Sequence, residues 1–199
     1  MIELLGRATS GNVQKVIFML EELGLPYERK DYGRQFENTI TPQYAALNPM
    51  KKVPTLVDGD TVVWQSNTIL RYLANKSGSS ALYPVDAAQR SQVERWMDWL
   101  LAELNPAYLA GFRDAKKAEA ERAADTATNL GNELRLLEEQ LAKSAWVAGA
   151  QFSLADIALG PIVKRSIGFP LGLPAMPKTQ AWIAALQKRP AFQKATATG

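Results

Sequence analysis

Hydroxyl and amide side chains gather at three places in this chain where they could hold an anionic ligand. Thr9, Ser10 and Asn12 lie in the stretch TSGN, just ahead of an apolar-periodic run. Lys52, Val53 and Pro54 precede a β-rich run, and Gln65 and Ser66 open a second periodic run. A helix start offers unsatisfied N–H groups and the positive end of the helix dipole, so both serines stand where an anion would be welcome. They also suit the plainer role of helix N-cap. Cysteine and histidine are both absent from the 199 residues. That removes disulfides, the usual zinc sites, cysteine nucleophiles and every histidine-based acid, base or metal mechanism. Chemistry is left to hydroxyls, carboxylates, lysine, arginine, amides, backbone N–H groups, or a thiol brought by a ligand.

The elements that must position these groups are legible from periodicity. Residues 2–6 form a short apolar run that reads as a strand. Val13, Val16, Ile17, Leu20 and Leu23 then recur at helical spacing, with Gly24 placed as a C-cap. Residues 27–32 alternate as a second strand, and QYAALNP reads as a short helix after Pro42. Two β-rich runs flank Asp58-Gly59-Asp60, which signals a hairpin. Ser66 then caps a helix through Ile69, Leu70 and Leu73. The order is β-α-β-α-β-β-α.

From Asp86 onward every periodic segment is helical. The alanine-rich residues 114–127 read as a solvated helix, and Ser153 with Asp156 in SLAD forms a capping pair at the start of another. Gly and Ser cluster around residues 77–84, which sets two domains, 1–78 and 86–199. The net charge of +3 is too small for a nucleic-acid-binding face, and no run reaches the roughly 20 apolar residues of a membrane span. The start lacks the basic and apolar regions of a signal peptide, which predicts a cytoplasmic protein.

Four separated stretches, TSGNVQKV, ALNPMKKVPTLVDGD, WQSNTILRYL and FSLADIAL, occur in this order over nearly the whole chain. In them the chain resembles the cytosolic glutathione transferase family, its bacterial members of the serine-type theta/delta-like or nu-like kind. The resemblance implies an α/β thioredoxin-like N-terminal domain that binds glutathione, plus an all-α C-terminal domain. It implies a cis bond before Pro54 and pairing of Val53 with the cysteinyl backbone of glutathione. Gln65 and Ser66 would take the γ-glutamyl end, and Lys52 would reach a carboxylate. Lys51 replaces the family's usual glycine, which puts the backbone path of that loop in question, and Gln65 carries no charge toward the ligand ammonium.

A cysteine-type thiol has a pKa of about 8.5, and its thiolate is the nucleophile. One charge-assisted hydrogen bond contributes about 1.5–3 kcal/mol, enough to lower that pKa by roughly one to two units. By resemblance to the serine-type classes Ser10 is the catalytic residue. Asn12 is the competitor, as in nu-like members, and Thr9 or backbone N–H groups are the remaining candidates. The implied activity is conjugation of glutathione, as co-substrate and without metal, to a small hydrophobic electrophile, a detoxification role. Two alternatives remain open: glutathione-dependent disulfide or peroxide reduction, and a non-catalytic binding protein. Tyr108, Phe112 and Arg113 are the candidate electrophile pocket. The resemblance also implies a homodimer, with Phe36 a candidate anchor between subunits.

Overall fold

The computed structural model describes residues 1–197 and divides into two compact units. The first holds Met1–Ser80 together with the chain from Arg189 on, and the second is Ala81–Lys188.

In the first unit the strands are β1 (Ile2–Leu5), β2 (Tyr27–Lys30), β3 (Thr55–Asp58) and β4 (Thr61–Trp64). They form one mixed sheet in the order β2-β1-β3-β4, with β1 parallel to β2 and the other two pairings antiparallel. Leu4 and Leu56 are fully buried at its centre. Helix α1 (Gly11–Glu22) buries Val13, Val16 and Leu20, the positions whose spacing marked it as a helix. Its exit turns through Gly24 at φ +62°, where glycine carries no Cβ penalty. Helix α2 (Pro42–Leu47) is capped by Thr41, whose Oγ1 accepts from the Tyr44 N–H at 3.3 Å. Helix α3 (Ser66–Lys76) follows the hairpin and packs on α1.

The second unit is helical: α4 (Ala87–Trp99), a π-helical turn (Leu100–Leu104) that continues into α5 (Asn105–Asp114), then α6 (Thr126–Leu141), α7 (Leu154–Ile167) and α8 (Pro177–Gln187). The expected helix over 114–127 is instead a loop with one 3₁₀ turn, Glu119–Glu121. The cause is Asp114, buried at the end of α5. Its Oδ2 accepts from the Ala123 N–H at 3.0 Å and the Thr126 hydroxyl at 2.6 Å, while Oδ1 pairs with Lys117. One carboxylate gathers the loop back on itself and so outweighs alanine's helix propensity. The SLAD pair does form a capping box on α7. Ser153 Oγ accepts from the Ala155 N–H, and Asp156 Oδ2 accepts from the Ser153 N–H at 2.9 Å. Asp156 also accepts from the Val147 N–H and the Trp182 indole N–H. Burial nonetheless pushes its carboxyl up to about 6.

The last helix, α9 (Pro190–Thr196), packs on α1 and belongs with the first unit, whereas the sequence grouped it with residues 86–188. The Phe192 ring meets Phe18 edge-on at 5.1 Å, and Arg189 forks onto Glu22 through two bonds of 2.7 Å. Among the described residues no helix is long and apolar enough to cross a membrane.

Lys15 on α1 is fully buried, and desolvation alone lowers its pKa to about 7. The unfolded chain holds that proton up to about 10.5 while the folded chain releases it near 7, so stability rises with pH across that window. Lys15→Met should therefore raise the melting temperature at pH 7, and the gain should shrink at pH 9, as thermal melts at the two pH values would record.

Candidate functional site

The sheet register places Leu5, Thr55 and Trp64 in one row, Leu5 opposite Thr55 and Thr55 opposite Trp64. The segments that continue from that row are Gly6 to Ser10, the Val53-Pro54 pair and Gln65-Ser66. All three therefore leave the same edge of the sheet. At this edge the Val53–Pro54 peptide is cis. Val53 enters neither the strand ladder nor a loop hydrogen bond among the described residues, so its backbone N–H and C=O are left for a strand-like ligand. The side chain of Val53 closes against Gly6 and Gly33: a Cβ on Gly6 would come within 2.5 Å of Val13 and 3.3 Å of Val53. Only glycine at position 6 lets these segments come that close.

Two side chains that the sequence reading passed over hold the loop in place. Tyr44 Oη donates to the Lys52 carbonyl at 2.8 Å and lies 2.8 Å from Thr55 Oγ1. The Asn48 amide donates to the same two atoms at 2.7 and 2.9 Å, and its Oδ1 accepts from the Met50 N–H. Tyr44, Asn48 and Thr55 are all buried, and Tyr44 stacks on Tyr32 with ring centres 5.1 Å apart. The Asn48-Pro49 pair after a short helix was the available signal. Lys51 adopts φ +53°, so the loop keeps a left-handed residue where the resembled family has glycine. That conformation costs a side-chain-bearing residue about 1–2 kcal/mol. Lys51 and Lys52 are both exposed.

Two helix starts share this edge. Ser10 occupies the N-cap position of α1 with extended backbone, yet its side chain makes no capping hydrogen bond, and it is 8% exposed. The hydroxyl is thus not spent on the role that would have made it purely structural. Gln14 Nε2 donates to the Ala8 carbonyl at 3.1 Å and ties down the loop that carries Ser10, while Thr9 on that loop is exposed. At the second start Ser66 is the first helical residue and not the cap, a correction to the sequence reading. The N-cap position belongs to Gln65, at φ +70° and ψ +117°, and it too makes no side-chain cap bond. Ser66 Oγ donates to Asn12 Oδ1 at 3.2 Å and so joins the two helix starts. That bond sets the Asn12 carboxamide with its NH2 as the donor end. The positive ends of α1 and α3, two hydroxyls, two amides and a free backbone edge converge on a site suited to an anionic, peptide-like ligand.

In the second unit Tyr108 is buried and stacks on Phe169 at 5.8 Å, with Phe112 tilted against both rings. Lys116 lies over the Phe112 ring at 4.3 Å. Arg113 does not join this cluster. It lines a polar groove between α5 and α6. Among the described residues no group of three or more acidic, cysteine or histidine side chains is arranged to hold a metal.

Comparison with known proteins gives a consistent answer. The chain matches the Glutathione S-transferase, N-terminal domain over residues 2–75 and the Glutathione S-transferase, C-terminal domain over residues 83–190. It is 37% identical to glutathione S-transferase GstB of Escherichia coli, over 98% of this chain and 97% of that protein. It is similar to the crystal structure of the theta class glutathione S-transferase from Xanthomonas axonopodis pv. citri with glutathione bound, at 37% identity and a TM-score of 0.93, covering 100% and 98% of the two chains. A glutathione transferase from Burkholderia graminis with two glutathione molecules bound per subunit is 30% identical, with a TM-score of 0.88 over 99% and 88% of the chains.

Removing the Asn48 amide strips partners from Lys52, Thr55 and Met50 together. Asn48→Ala is expected to cost about 2 kcal/mol, which for a chain of this size lowers the melting temperature by about 4–8 °C. Lys51→Gly, three residues further along and in the left-handed position, should not lower it. Calorimetric melts of the two variants test this, and equal losses would mean the loop is not held as described.

Proposed function

The chain belongs to the glutathione S-transferase family, and from that premise we propose that it joins the thiolate of glutathione to an electrophilic carbon of a small hydrophobic substrate. The observation that carries this reading is the pair of helix starts beside the cis Val53–Pro54 peptide, neither closed by a capping side chain. In the proposed complex the cysteinyl backbone pairs with Val53, and the γ-glutamyl carboxylate sits on the first N–H groups of α3. Gln65 accepts from the ligand ammonium, and Lys52 reaches the glycyl carboxylate. The thiol then lies over the start of α1, where the Ser10 hydroxyl donates to sulfur. The thiolate attacks carbon, the C–S bond forms, and the leaving group departs with its electron pair or the addition is completed by a proton from water. Tyr108 and Phe112 are proposed to contribute an apolar wall for the electrophile, in a detoxification role in the cytoplasm.

A second reading, reduction of disulfides or peroxides by bound glutathione, draws support from the Ser66–Asn12 bond. That bond presents an N–H donor, the group a sulfur anion needs. The Burkholderia graminis relative with its two glutathione molecules per subunit is in keeping with it.

The family relation also leads us to propose a homodimer. Phe36 and Leu136 are exposed, and the buried Trp96 indole N–H, beside Trp99 and Leu136, has no hydrogen-bond partner among the described residues. Light scattering after gel filtration should give twice the 21.9 kDa chain mass, and Leu136→Asp should shift it toward one. A wild-type monomer would end this proposal.

The deciding experiment is the ultraviolet thiolate absorbance of bound glutathione titrated against pH in wild type, Ser10→Ala and Asn12→Ala. We expect the bound thiol to titrate about one to two pH units below its free value, and Ser10→Ala to reverse that shift. Reversal in Asn12→Ala alone would move the reductive reading to first place. A thiol left at its free value in wild type would overturn both.

A further inference from the structure

The aromatic cluster of the second unit has a charged neighbour with no role in the reading above. Tyr108, Phe112 and Lys116 recur at every fourth residue and so share one face of α5 and of the turn that follows it. The Phe169 ring lies 5.8 Å from Tyr108 and 6.4 Å from Phe112. It comes that close to α5 because position 111 is glycine, where a Cβ would stand 3.2 Å from Phe169. Phe112 and Phe169 are only half-buried, so the cluster keeps an open aromatic side. The Lys116 ammonium stands 4.3 Å over the Phe112 ring and has no ion-pair or hydrogen-bond partner among the described residues. Asp114 is taken up by Lys117, the Ala123 N–H and the Thr126 hydroxyl. Arg122 donates to the carbonyls of Lys117 and Pro170, which sets a second cation beside the segment that carries Phe169.

We infer that the electrophile is an aromatic molecule bearing a carboxylate at the end remote from its reacting carbon, with its ring against Phe112 and Phe169 and its carboxylate paired with Lys116. The inference rests on the conjugation reading above and narrows its substrate class. An aromatic body suits a wall of rings, which attract one another offset or edge to face at about 4.5–7 Å. A neutral body would cover the ammonium without replacing its water, a cost that a carboxylate removes. The charge belongs at the remote end because a carboxylate beside the reacting carbon would repel the incoming thiolate. With a chloride leaving group the step balances: the thiol proton passes to solvent, the C–S bond forms, and chloride departs with the C–Cl electron pair.

The test compares 4-chloro-3,5-dinitrobenzoate with the neutral 4-chloro-3,5-dinitrobenzamide, which share a reacting carbon and differ in charge at the far end. Each catalysed rate with glutathione is divided by the uncatalysed rate of the same probe, so that intrinsic reactivity cancels. The full-length wild type should prefer the benzoate in corrected kcat/KM. Lys116→Met should lower that preference about fivefold, through KM for the benzoate, and Lys116→Arg should retain it. Lys143→Met, which removes an exposed charge just past the end of α6, should also retain it. No preference in wild type, an unchanged preference in Lys116→Met, or an equal fall in Lys143→Met would overturn the inference, while turnover of the benzamide keeps the conjugation reading. If neither probe is conjugated, the thiolate absorbance separates the two: a lowered thiol pKa ends this inference alone, and an unshifted one ends both.

Discussion

The carbonyl of Lys52 and the hydroxyl of Thr55 are held jointly by Tyr44 and Asn48, and the rest of the site depends on that small buried cluster. It sits where the chain must leave a short helix, pass a left-handed lysine, turn through a cis peptide and enter the sheet. The left-handed lysine is unfavourable alone. Fully satisfied and buried, the four polar groups make one path cheaper than its alternatives, because a half-satisfied version would leave polar atoms stranded. The consequence reaches the candidate site through Val53, whose backbone N–H and C=O stay unbonded among the described residues only while this path is kept.

The site needs little formal charge. Its pull on an anion comes from two uncapped helix starts, and the side chains near them are hydroxyls and amides. This accords with a chain that lacks cysteine and histidine. A thiol supplied by the ligand needs only a donor and a positive potential to lose its proton. In the proposed complex the Ser10 hydroxyl is the donor and the dipole of the twelve-residue α1 supplies the potential. Two groups shifted chiefly by burial, Lys15 and Asp156, lie outside the residues gathered at this edge.

Much of this was legible in the sequence where local rules act. The hairpin at Gly59, the apolar stripe of α1, the capping box of SLAD and the serine-bearing loop ahead of α1 all follow from short-range spacing. What was not legible depends on partners distant in the chain. Ser66 reads as a cap from its neighbours, but its hydroxyl is drawn to Asn12, 54 residues away. The stretch after Asp114 reads as helix from its alanines, but a buried carboxylate that must be satisfied collects it into a loop. Tyr44 carries no motif that distinguishes it from an ordinary residue of a short helix, and the Asn48-Pro49 pair marks the helix end without showing which distant atoms the amide holds.

The fork of Arg189 onto Glu22 closes a loop of 167 residues, and it gives the molecule a direction in time. During synthesis the first strand, α1 and the whole edge that carries the candidate site emerge from the ribosome early. The helix that completes their unit follows only after the whole helical unit. The helical unit lies wholly between them, so it can close on local contacts while α1 still exposes Phe18 to the cell. A chain halted before Arg189 would carry every residue of the proposed glutathione site and still lack the cover on α1, which makes the stretch after the helical unit the point at which assembly of the first unit becomes final.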